Sequence, residues 1–235
     1  VYKRQILKRA KFKGEEVCIG IICDGMGGLS CGELASKSIA EAFSDWFLYS
    51  YSKYESIWDE SRMREDIGSI ISSENEGLLY YGKEHGIYLG TTITAFLLAG
   101  NRFFVWHVGD SRLYKISSSK IERLTNDHTV IAKEVAEGRL TEKEAKNDPK
   151  RNVLLQCIGA SERVKPDMSC GEVKKGDILL LCSDGFRHEI SEKEMLSLLG
   201  RCESNKLNEM IKRLISLNLR RNEQDNISAA LVKVQ

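Results

Sequence analysis

"CIGIICDGMGGLSCGE", residues 18–33, is the stretch on which the reading of this chain turns. An apolar run with the composition of a buried strand ends on one carboxylate, Asp24, and Gly25, Met26, Gly27 and Gly28 follow at once. A strand that finishes on an acid and then sheds its side chains leaves room around that acid. The arrangement recurs. "FFVWHVGDSR" places Asp110 at the end of an apolar run, "DILLLCSDG" does the same with Asp184, and "RRNEQDNISAALVKV" sets Asp225 where a last strand is expected to begin.

A single Asp of this kind caps a turn. Several at the ends of neighbouring strands converge, and carboxylates packed closely repel unless protonated or neutralised by cations. Hard divalent ions such as Mg²⁺ or Mn²⁺ take carboxylates, carbonyls and waters. Two such ions about 3.5–4 Å apart lower the pKa of a shared water and hold a phosphoryl group for in-line attack. The alternatives are weaker. "GMGG" lacks the Lys-Ser/Thr of a P-loop and the spaced glycines of a dinucleotide fold, and "DGM" lacks the second Asp of an aspartyl-phosphate enzyme.

The 235 residues suffice for one large domain or two small ones. Lys plus Arg (35) nearly balances Asp plus Glu (34), so no global field favours nucleic acid or an anionic membrane. Apolar runs such as "ILLLC" at 178–182 are too short to span a bilayer, and no secretory pattern opens the chain. The seven Cys, at 18, 23, 31, 157, 170, 182 and 202, form no C-x-x-C and no zinc-ligand spacing. They read as reduced core thiols of a cytoplasmic protein. The opening "VYKRQ" at residues 1–5 matches the translation of a common transposase sequencing adapter. The expectation is an assembly scar, set aside from fold reasoning, with the native N-terminus missing.

Strands are expected at 17–23, 91–99, 102–109, 177–183 and 226–234, with a hairpin over 111–124. Helices are expected at 31–50, with Ser30 as N-cap, and at 61–84, 192–201 and 205–221. "TEKE" at 141–144 and "SEKE" at 191–194 have the capping-box form. Helices cluster instead of alternating with strands, which argues for an α+β arrangement of two largely antiparallel sheets covered by helices.

"CDGMGG…GE.AS", "GTT" at 90–92, "VGDSR", "LTNDH", "RNVLLQCIG", "CSDG" and "DNIS" stand in an order that resembles the metal-dependent protein phosphatase (PPM, type 2C) family, particularly its bacterial members. The resemblance implies a single domain over 1–235, its first strand incomplete, folded as a four-layer αββα sandwich with a two-metal centre at one edge of the sheets. It implies that Asp24 bridges two Mn²⁺ or Mg²⁺ ions, that the Gly25 carbonyl is a further ligand, and that Asp184 and Asp225 bind the first ion. Asp110 matches a third, weaker metal position shared with Asp184. Arg112 is expected as a structural ion-pair partner and Asn226 as a brace for the Asp225 loop. Residues 126–155 resemble the mobile flap that borders the site.

The family also carries an Arg that grips phosphate and an acidic Asn-Glu/Gln-Asp-like motif on its opening strand. By distance from Asp24 that motif ends about where "VYKRQ" stands, and neither Arg4 nor Arg9 takes the role. Met26 stands where animal members have His, and Leu29 where many bacterial members do, so the leaving-group acid is unassigned. His107 reads as a satisfied core residue, His128 as a capping or packing element, and His85 and His188 as turn or loop residues. The implied function is a serine/threonine protein phosphatase acting on phosphorylated protein substrates, with a partner Ser/Thr kinase, no nucleic acid or membrane partner, and a monomeric state. The alternative is a pseudophosphatase, a binding or regulatory module that keeps the fold without the chemistry.

Overall fold

The structure, a computed structural model, describes residues 3–26 and 29–235. Residues 1 and 2, Gly27 and Gly28 of the opening motif, and the side chains of residues 29, 30, 146 and 147 lie outside the described residues. Strands β1 (Lys3–Phe12) and β2 (Glu15–Met26) lead to helix α1 (Leu29–Asp45), which runs on through a π-turn over Trp46–Ser50, and to α2 (Glu60–His85). Next come β3 (Gly90–Thr91), β4 (Ile93–Ala99), β5 (Arg102–Val108), β6 (Arg112–Ile116) and β7 (Ile121–Arg123). The polar insert holds α3 (Val130–Ala136) and α4 (Glu142–Asn147). The chain then forms β8 (Asp167–Glu172), β9 (Ile178–Cys182), α5 (Asp184–Arg187), α6 (Glu192–Leu199), α7 (Leu207–Arg220) and β10 (Ala229–Lys233).

One antiparallel sheet runs β1-β2-β4-β5-β8, with β3 paired to β2, and the second runs β10-β9-β6-β7. Side-chain parity along the strands makes the layers. In β2, Ile19, Ile21 and Cys23 pack toward α1 and α2 with Phe43, Met63 and Trp106, while Cys18 and Ile22 face the other sheet with Phe96, Leu113, Leu179 and Leu181. Behind the second sheet, Tyr114, Leu180 and Cys182 meet Met195, Leu199 and Leu214 of α6 and α7. Three apolar layers between four structural layers give the expected αββα sandwich. Gly20 leaves room for the ring of Phe96, its partner in the neighbouring strand β4: a Cβ at Gly20 would stand 2.3 Å from it.

The expected strands and long helices are all present, with shifted ends. Ser30 lies inside α1 and not at its cap, because the helix begins at Leu29. β10 begins only at Ala229, so Asp225 sits in the turn before it. His85 is the last residue of α2 and not a turn residue. Strands β1 and β8 lie outside the expected set. Both are edge strands whose polar residues alternate toward solvent, which leaves a thin apolar signal. Residues 3–5, set aside above as adapter-derived, form part of β1. Both predicted capping boxes are present, Thr141 with Glu144 and Ser191 with Glu194. All seven cysteines are free.

Candidate metal centre

Parity continues past the core. Asp24 follows Cys18 and Ile22 on the inter-sheet side of β2, so its carboxylate leaves the gap between the sheets at its open end. Its backbone is pinned by the "GTT" motif. Asp24 N–H donates to Thr92 Oγ1 (3.1 Å), while its carbonyl accepts from Thr92 N–H (2.9 Å) and Thr91 Oγ1 (3.1 Å). Gly25 pairs with Thr91 in the next strand. The first turn of α1 presses against the same spot: a Cβ on Gly32 would stand 2.8 Å from the Gly25 carbonyl carbon.

Asp184 and Asp225 come from the second sheet. Asp184 opens α5 one residue after β9, and its Oδ1 accepts from Gly185 N–H at 2.8 Å. Asp225 Oδ1 accepts from Asn226 N–H at 2.7 Å, and Asp225 N–H donates to Glu223 at 2.8 Å. Ser183 sews the two loops together, donating to the Asn226 carbonyl at 3.3 Å and accepting from Ser228 N–H at 3.1 Å. The expected bracing by Asn226 thus runs through its backbone. Gly185 permits the approach, since a Cβ there would lie 2.6 Å from the Asn226 carbonyl oxygen.

Among the described residues, oxygens of Asp24, Asp184 and Asp225 lie within 4.8 Å of one another. At their centre is a cation that the sequence does not predict. Lys3 Nζ stands 2.9 Å from Asp24, 2.7 Å from Asp184 and 2.9 Å from Asp225. The register explains it: Lys3 lies opposite Asp24 in the β1–β2 ladder, so both side chains project from one face. One ammonium does not balance three acids. Burial, with the charges of Asp184 and Asp110, pushes Asp24 up to about 7 despite Lys3. Asp184 is held below the usual carboxylate range, because Lys3, His188 and Gly185 N–H together outweigh its burial. An all-oxygen donor set that gathers round a cation and still carries excess negative charge fits hard divalent ions.

Asp110 stands beside this trio and outside it. Its carbonyl accepts from Arg187 Nη2 at 3.0 Å, and its carboxylate lies 3.8 Å from the same nitrogen. Burial and the charge of Asp184 raise it to about 6. Arg112 grips Asp127 through two hydrogen bonds of 2.8 and 2.6 Å, the structural pairing expected of it, and Arg187 Nη2 reaches the same carboxylate at 3.4 Å. His107 is satisfied in the core by Thr94 and the Asn126 carbonyl, each at 2.9 Å. His128 ties the insert to the sheet: its backbone N–H donates to the Gly109 carbonyl at 2.7 Å.

Three residues near the site escape the sequence reading. Lys3 lies in the discounted pentapeptide. Arg187 and His188 follow the "CSDG" motif, and a one-turn helix brings them back toward it. His188, in the bend that follows α5 as expected, lies 3.4 Å from Glu223 and 3.9 Å from Asp184. Their spacing of three and four residues from Asp184 on a helix was the available signal.

The chain matches the Protein phosphatase 2C family over residues 8–234. It belongs to that family. The serine/threonine phosphatase stp of Listeria welshimeri is 30% identical over 216 residues, covering 92% of this chain and 84% of the relative. The solved serine/threonine phosphatase of S. agalactiae superposes with a TM-score of 0.86 at 30% identity, covering 98% of this chain and 93% of that one. The catalytic domain of the phosphatase PstP, solved with two manganese ions, gives a TM-score of 0.76 at 27% identity, covering 99% and 98%. In this member of the protein phosphatase 2C family one converging acid, Asp24, ends a strand of the first sheet, and the other two, Asp184 and Asp225, stand just after β9 and just before β10 of the second.

Proposed function

We infer that this chain is a metal-dependent serine/threonine protein phosphatase that hydrolyses phosphoserine and phosphothreonine in protein substrates, with Mn²⁺ or Mg²⁺ held at Asp24, Asp184 and Asp225. The observation that carries the reading is the convergence of those carboxylates around one cation. When bound, the ions supply Lewis acidity that makes water nucleophilic at neutral pH and neutralises charge on the phosphoryl group.

The chain's own residues do the positioning. Thr91 and Thr92 fix the Asp24 backbone, and the Asp24 carboxylate and the Gly25 carbonyl would help to hold the ions. Ser183 and Gly185 hold Asp184 and Asp225 at ligand distance from each other. Asp110 with Asp184 offers the outer position for a third ion. Residues 126–155 act as a flap bordering the site, anchored through His128 and Asp127 and otherwise built of short capped helices. Among the described residues no helix is long and apolar enough to cross a membrane. A cytoplasmic monomer that opposes a Ser/Thr kinase is the setting that membership of the family leads us to propose.

The test is phosphate release from a phosphothreonine peptide with manganese in large excess. Release is expected to vanish with chelator and to fall more than about 100-fold in Asp184→Asn, since partners of metal ligands alone are worth about 10–100-fold. Equal release by the variant would remove the metal centre from the mechanism.

A further inference from the structure

The His128 ring fastens the insert to the sheet as its backbone does. Its Nδ1 accepts from Gly109 N–H at 3.2 Å and from Gln156 Nε2 at 2.9 Å, and its Nε2 stands 3.3 Å from Asp167 Oδ2. Gln156 decides which ring nitrogen carries the proton. Its amide pairs at both ends with the backbone of Lys165: Oε1 accepts from Lys165 N–H and Nε2 donates to the Lys165 carbonyl, each at 2.9 Å. Turning that amide over would set N–H against N–H and oxygen against oxygen. The second N–H of Gln156 therefore points at a bare Nδ1, and the imidazole proton sits on Nε2, toward Asp167.

We propose that Gln156 is a positioning residue: it keeps His128 in the Nε2–H form, so that Nδ1 latches the Gly109 turn to the root of the 126–155 insert until a second proton opens the latch. This rests on the phosphatase reading, which makes that insert a flap, and adds how the flap root is fastened. Gly109 turns at a φ of +115°, and a Cβ there would stand 2.4 Å from the Thr92 side chain. The turn is therefore gripped by its backbone, the N–H by the His128 ring and the carbonyl by His128 N–H. A proton on Nδ1 removes the acceptor that Gly109 and Gln156 share and leaves their N–H groups facing another N–H. Charged groups reach the ring from several elements. Asp167 of β8 favours the second proton, while His107 of β5, its ring 4.7 Å away, opposes it once charged itself. Asp127, next in the chain, is committed to Arg112 and Arg187, and Asp110 lies beside Arg187. Gln156 is uncharged and Lys165 meets it through the backbone.

The experiment is ¹⁵N NMR of the full chain in chelator from about pH 8 to about pH 5, the range in which imidazoles change charge. At the upper end His128 is expected to show a bare Nδ1 and a protonated Nε2; a proton on Nδ1 there would overturn the assignment. As pH falls, the Gly109 amide is expected to shift with the His128 ring and to lose protection from exchange. A ring that holds one proton throughout would overturn the opening of the latch. His128→Asn sets an oxygen where Nδ1 stands and does not titrate, so its Gly109 amide should stay fixed. An amide that moves as before would remove His128 from the latch. Gln156→Glu exchanges the donor for an acceptor and is expected to raise the His128 midpoint by at least about one pH unit. Gln156→Met, a second variant should the carboxylate disturb folding, is expected to raise it by less. An unchanged midpoint in both would overturn the role of Gln156. These readouts use neither metal nor substrate, so their failure is separate from a failure of phosphate release.

Discussion

Two groups of buried charge lie next to each other at one end of the sandwich, and they are balanced in opposite senses. At the flap root a single acid, Asp127, is shared by two guanidiniums, from Arg112 and Arg187. At the metal centre a single ammonium, from Lys3, is shared by three acids. The acid values follow. Asp127 is held below its ordinary range, because Arg112 and Arg187 outweigh its burial, whereas burial and repulsion from Asp184 and Asp110 lift Asp24 to about 7 despite Lys3. A balanced group of this kind contributes to the fold. A group with surplus charge of one sign strains the fold until a ligand of the other sign arrives, and that surplus marks a site.

The contrast is broken most directly at Asp127. Asp127→Asn leaves two buried guanidiniums without their carboxylate and is expected to cost about 3 kcal/mol, read by urea denaturation. The same chemical change at Asp24 is expected to have the opposite sign. In chelator at pH 8, Asp24→Asn removes a charge that the folded state ionises at a cost, so stability should rise on the order of 1 kcal/mol, while phosphatase activity is lost. A fall comparable to that of Asp127→Asn would show that the two groups are alike and would undo the comparison.

A smaller effect sharpens it from the flap side. Burial lowers His107 from 6.5 to about 4, helped by its neighbour His128. Between those values the unfolded chain binds more protons than the folded one, so stability is complete above about 6.5 and is lost as pH falls toward 4. The slope is at most about 1.4 kcal/mol per pH unit. His107→Asn should flatten the melting temperature across that window. An unchanged slope would place the acid sensitivity elsewhere.

The legible part of this protein lay where periodicity and motif agreed. The buried strands announce themselves by unbroken apolar runs, and α2 by its length and by Gly86, which closes it in the left-handed conformation. Asp24, Asp184 and Asp225 were found from strand-end acids beside small residues. What escaped had weak local signal. β1 alternates Lys and Arg with modest apolar residues along an edge, and β8 ("DMSCGE") carries almost no strand composition. Arg187 and His188 were passed over because nothing local shows that one turn of helix will return them toward Asp110 and Asp184.

The sequence alone determined the fold class, the family and the strand-end acids that converge, since strand composition, capping boxes and motif order are properties of neighbouring residues. Which charges meet was decided by the tertiary structure. Lys3 reaches the trio through a ladder register with Asp24, and it meets Asp184 and Asp225 from more than 180 residues away because the two sheets stack. Electrostatic balance depends on distance and burial in three dimensions. A chain with 35 basic and 34 acidic residues is nearly neutral by count, yet the fold leaves a surplus of negative charge where Asp24, Asp184 and Asp225 meet.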